Sequence, residues 1–69
     1  MNENFSTLMN LIMEKKKMSP EQLSAKSGIT LSEIKELSQG KRTPQAYTIK
    51  KIAEALGYSY EKLYAAVER

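Results

Sequence analysis

Apolar residues recur along this chain at helical spacing. Phe5, Met9 and Ile12 fall three or four residues apart, with Leu8 beside them, and predict a first helix over about residues 4–17. Leu23, next to the small Ser24, marks a second over 20–27, and Ile34 and Leu37 mark a third over 31–39. A fourth begins at Thr43-Pro44, carries Ile49, Ile52, Ala53 and Leu56 inward, and stops at Gly57. Ser59 caps a fifth that carries Tyr60, Leu63, Tyr64 and Val67. No segment alternates apolar and polar residues as a strand would, and no Asn-Gly or Asp-Gly hairpin signal occurs. The expected fold is all-α: five short helices around one core, in a single domain spanning 1–69.

Residues 19–40 carry the sharpest punctuation. Ser19-Pro20-Glu21-Gln22 reads as a capping box, with Ser as N-cap, Pro at the first helical position and Gln three residues on. Thr30-Leu31-Ser32-Glu33 is a second box of the same kind. Gly28 and Gly40 stand where a left-handed residue closes each helix. Two short helices joined by a tight Gly-containing turn make a helix-turn-helix, a common way to offer a helix to the DNA major groove.

Composition narrows the chemistry. The 69 residues contain no Cys and no His, which removes disulfides, thiolate metal sites and the usual general base. No base–nucleophile or metal constellation can be assembled, so an enzyme is not expected, and neither is a cofactor. No apolar run has the length of a membrane span or reads as a secretory leader, and a Cys-free chain suits a reducing cytoplasm. Eleven Lys and Arg against eight Asp and Glu give a net charge of +3, which permits nucleic-acid binding without demanding it. Lys15-Lys16-Lys17 is read as a complement to the first helix's macrodipole.

From Met9 to Leu63 the order of residues resembles the Cro and lambda-repressor family, also called xenobiotic-response-element-type regulators. The likeness rests on Leu23-Ser24, Gly28-Ile29-Thr30, Ile34, Gly40-Lys41-Arg42-Thr43-Pro44 and Ala55-Leu56-Gly57, without a gap. It implies a five-helix bacterial or phage regulator, of repressor type, that binds operator DNA as a homodimer. Three departures stand out. Where family members often pair an Arg late in the first helix with a Glu at the end of the third, this chain has Met13 and Ser38. Losing both partners together strands no charge. Pro20 stands where a Gln often touches DNA, and Ser24 replaces the usual Ala.

In the family geometry the third helix enters the major groove and presents Leu31, Ser32, Lys35 and Glu36 to base edges. Ser32 would hydrogen-bond a base, Lys35 would donate to guanine, Leu31 would pack on a thymine methyl, and Glu36 would accept from cytosine. Glu33 suits back-capping, whereas Glu36 has no such local use. Phosphate contacts are expected from Lys41, Arg42 and Thr43 in the loop, with Ser19, Thr30 and Gln39 at the helix ends.

Tyr60, Leu63, Tyr64 and Val67 give the last helix more apolar surface than a small core needs. With Leu11 and Met13 they form the expected dimer interface. A protein-interaction module on the same fold, antirepressor or antitoxin-like, is the competing expectation. Pro20, Leu31 and Glu36 favour it, and Lys41-Arg42 opposes it. No small-molecule ligand is evident.

Overall fold

The structure, a computed structural model, describes residues 3–67. Residues 1–2 and 68–69 of the expected domain lie outside the described residues. Five helices occupy the described chain: α1 (Glu3–Lys15), α2 (Pro20–Ser27), α3 (Leu31–Ser38), α4 (Ala46–Leu56) and α5 (Tyr60–Ala65). α2 packs against both α3 and α4, α4 packs on α5, and α1 closes the bundle across α3 and α5.

The expected stripes meet in one core. Phe5, Met9 and Ile12 of α1 join Leu23, Ile34, Leu37, Ile49, Ile52, Ala53 and Leu56, with Ile29 from the turn. Each Phe, Met, Leu or Ile side chain among them contributes roughly 1.5–3 kcal/mol on leaving water. Met13 also lies in this core, 6% exposed, so it is not part of any partner surface. It stands on the α1 face that the Phe5–Met9 stripe turns inward, one helical turn past Met9.

The helix ends follow their signals closely. Ser19 and Gln22 form the complete capping box, with Ser19 Oγ accepting from Gln22 N at 3.1 Å and Gln22 Oε1 accepting from Ser19 N at 2.8 Å. α3 shows only the forward half of its box, Thr30 Oγ1 accepting from Glu33 N at 3.2 Å. Gly28, at φ 77°, closes α2 through a hydrogen bond to the Ser24 carbonyl. The turn that follows is tied by two serines. Ser24 Oγ donates to the Ile29 carbonyl at 2.6 Å, and Ser27 Oγ accepts from Ile29 N at 3.1 Å. Ser24 therefore does more than stay small: it locks the turn between α2 and α3.

Besides one-residue shifts at the start of α1 (Glu3) and the end of α3 (Ser38), three boundaries differ from expectation. α1 ends at Lys15 because Lys17 adopts a left-handed conformation, φ 54°, and Met18 N turns back to the Met13 carbonyl. α4 starts at Ala46, not at Thr43-Pro44. Pro44 is buried within the loop before the helix, and Gln45, in an extended conformation, serves as N-cap without a side-chain bond. Gln is outside the group of short polar side chains that cap well. α5 stops at Ala65, leaving Val67 beyond the helix. Among the described residues no helix is long and apolar enough to cross a membrane.

Candidate nucleic-acid interface

The interface is organised by how α3 is held. Its inner face, Ile34 and Leu37, is sealed in the core. At 100° per residue the opposite face is centred on Ser32 and Gln39 and flanked by Lys35 and Glu36, with Leu31 at its edge. Ser32, Lys35 and Gln39 are exposed, and Leu31 and Glu36 are half-buried. The residues expected to face bases therefore do share one outward face.

The C-terminal turn of α3 accounts for every one of its last four carbonyls, which a helix leaves without helical partners. Gly40, φ 73°, allows a Schellman turn: Lys41 N donates to Glu36 O at 3.0 Å and Gly40 N to Leu37 O at 3.1 Å. Ser38 Oγ donates to Lys35 O at 2.8 Å. The remaining carbonyl, that of Ser38, accepts from Ser6 Oγ and, at 2.9 Å, from Asn10 Nδ2, both on α1. Ser6 and Asn10 are one turn apart and also touch each other, at 3.4 Å. The α1–α3 contact thus runs through neutral hydrogen bonds near the positions where the family often places an ion pair.

The other flank of α3 is charged. The Schellman turn folds the loop back so that Arg42 reaches Glu36. Nε and Nη2 both donate to Oε1, at 2.8 and 2.5 Å. Both side chains stay in contact with water, 48% and 42% exposed. The hydrogen bond that Arg42 donates to Glu36, and then the Glu36 charge, raise the Arg42 pKa further above its already high ordinary value, so Arg42 is cationic at any working pH. Lys41 and Thr43 are exposed beside it. Glu33, Lys35 and Glu36 alone give α3 a charge of −1, and Arg42 cancels it.

Ser19 and Thr30 spend oxygen lone pairs on capping, which leaves their hydroxyl protons as donors. On α5 the Tyr60 and Tyr64 rings stack at 5.7 Å, and Tyr64 and Leu11 are 37% and 46% exposed. Leu63 is wholly buried in the chain's own core, so it cannot meet a partner. Helical spacing puts it on the inward side of α5, three residues after Tyr60.

Sequence reading missed Glu36–Arg42 and Ser6–Asn10–Ser38. Opposite charges six residues apart do not meet on a continuous helix, and only the turn at Gly40 makes the first pair. Nothing in the sequence flags Ser6 beyond its place at the edge of the Phe5–Met9 stripe.

Comparison with known proteins agrees with this geometry. A helix-turn-helix family model matches residues 10–63. The HTH-type transcriptional repressor RghR of Bacillus subtilis (strain 168) is 39% identical over 62 residues, covering 88% of this chain and 46% of that protein. An uncharacterized HTH-type transcriptional regulator of the same organism, RghRB, is 38% identical over 63 residues, covering 90% of this chain and 45% of its own length. The chain thus spans less than half the length of the curated relatives it matches. No solved structure matches. With its two capped helices, its Gly28 turn and the matched span of residues 10–63, the chain belongs to the Cro/lambda-repressor-like helix-turn-helix family of DNA-binding transcriptional regulators.

Proposed function

We propose that this chain binds double-stranded DNA sequence-specifically, as a regulator of repressor type, with α3 in the major groove. The observation that carries the reading is the exposed stripe of Ser32, Lys35 and Gln39, which runs into the exposed Lys41–Thr43 loop. Ser32 and Lys35 supply hydrogen bonds to base edges, and Leu31 supplies an apolar contact for a thymine methyl. Lys41 and Thr43, with Ser19, Thr30 and Gln39, grip phosphates and set the register of the helix. Glu36 arrives on the same face already joined to Arg42. The repressor and regulator named among the relatives support the same assignment. The site of action would be operator DNA in the cytoplasm.

The exposed side chains of Tyr64 and Leu11, with half-buried Tyr60 and Val67, support a homodimer that reads two half-sites. Leu63 is removed from that surface by its burial.

Binding to duplex DNA followed by fluorescence anisotropy over a salt series tests the reading. Log K should fall linearly with log salt, by about 0.9 for each phosphate neutralised. Lys41→Ala should make that slope shallower by about one contact and weaken all duplexes alike. Lys35→Ala should instead erase the preference between duplexes. Binding that ignores salt, or a Lys41→Ala variant identical to wild type, would sink this docking mode.

A further inference from the structure

Glu36 presents a difficulty that the DNA-binding reading alone does not remove. A carboxylate on the outward face of a groove-reading helix meets a polyanion, and an unpaired one opposes binding. In the structure it is not unpaired: its Oε1 accepts from both Nε and Nη2 of Arg42. An arginine has five N–H donors in a planar fork, so two of them bound to Glu36 leave three directed away from it. The guanidinium is therefore fixed in orientation by the helix and still able to bind a further anion.

We propose that Glu36 is a positioning residue for Arg42, holding the guanidinium against α3 so that its remaining donors meet a DNA phosphate. This rests on the DNA-binding reading above, and it replaces the expectation that Glu36 reads cytosine. Three features of the chain support it. Arg42 lies in a loop, two residues beyond the Gly40 turn, where a long side chain would otherwise sample many rotamers before binding. Fixing it beforehand lowers the ordering cost of the complex. The loop backbone is itself tied to α3 through Lys41 N and the Glu36 carbonyl, so main chain and side chain of Glu36 both anchor the segment. Finally, the pair cancels the charge that α3 would otherwise turn toward the phosphates.

The test is a double-mutant cycle on the duplex that the wild-type chain enriches from a randomised pool, read by anisotropy at several salt concentrations. Glu36→Ala should weaken binding about tenfold, the order of coupling between adjacent charged side chains. Its log K against log salt slope should become shallower by about one contact, as for Arg42→Ala. Within an Arg42→Ala background, Glu36→Ala should cause no further loss. Glu36→Gln, which keeps an acceptor, should fall between wild type and Glu36→Ala, and Arg42→Lys, which lacks the fork, should not restore binding. Circular dichroism should show the same helix content in all variants.

Tighter or unchanged binding by Glu36→Ala would overturn the proposal and leave Glu36 a plain repulsive charge. An equal loss in both backgrounds would overturn it in favour of an independent base contact. A wild-type chain that enriches no duplex overturns the DNA-binding reading, and this inference with it. Missing coupling in a chain that does bind overturns the inference alone.

Discussion

α3 is gripped on both flanks, and the two grips use opposite chemistry. Toward α1, its last carbonyl is taken by Ser6 and Asn10, neutral groups at the edge of the core. Toward the loop, Glu36 and Arg42 form an ion pair open to water. The first grip is insulated from salt and belongs to folding. The second contributes little to stability, because exposed charge pairs are screened and hydrated. In the proposed docking it lies where a DNA phosphate would arrive. The contrast separates what keeps α3 in place from what α3 is proposed to use on DNA.

Substitutions can disturb these two flanks at several depths. The deepest cut removes the packing on which both flanks rest. Leu37→Ala should cost about 3 kcal/mol in urea unfolding, the usual range for a fully buried leucine. It should lower DNA binding only as far as it unfolds the chain. Next comes the neutral flank: Ser6→Ala and Asn10→Ala should each cost about 1 kcal/mol. Because both donors serve one carbonyl, the double variant should lose less than the sum, and neither loss should change in high salt. An ionic-strength dependence there would contradict the assignment.

The smallest cut concerns the turns. α1 and α3 end in the same Schellman geometry, but α1 puts Lys17 at the left-handed position where α3 has Gly40. A left-handed non-glycine residue costs roughly 1–2 kcal/mol in backbone sterics. Glycine returns part of that gain through its larger unfolded-state freedom, so Lys17→Gly should stabilise by about 0.5 kcal/mol. A destabilised Lys17→Gly would show that the lysine side chain holds something there beyond its charge.

These two flanks also mark where the sequence stops being readable. Helical spacing found the inner faces, since burial enforces it: Phe5, Met9, Ile34, Leu37 and the α4 stripe all lie where periodicity puts them. Caps and glycines located most ends, because their effect is local. Periodicity and Gly punctuation both failed where a distant or folded-back residue decides the outcome. By pattern alone Met13 reads as surplus apolar surface and Leu63 as a partner contact, yet tertiary packing buries both. α4 began later than Pro44 suggested, because that proline is buried in the loop. The outward stripe of α3 was legible as a face. Its electrostatics were not: Glu36 has no visible partner until Gly40 turns the chain back upon it.

In the proposed reading this outward face, and not the fold alone, recognises duplex DNA. Selection from a randomised duplex pool by the wild-type chain tests it most directly. The wild-type chain should enrich one sequence family, with paired half-sites one helical turn, roughly 34–36 Å, apart. Lys35→Ala should no longer enrich that family while folding normally. A pool left unenriched at low salt, or enriched equally well by Lys35→Ala, would contradict it.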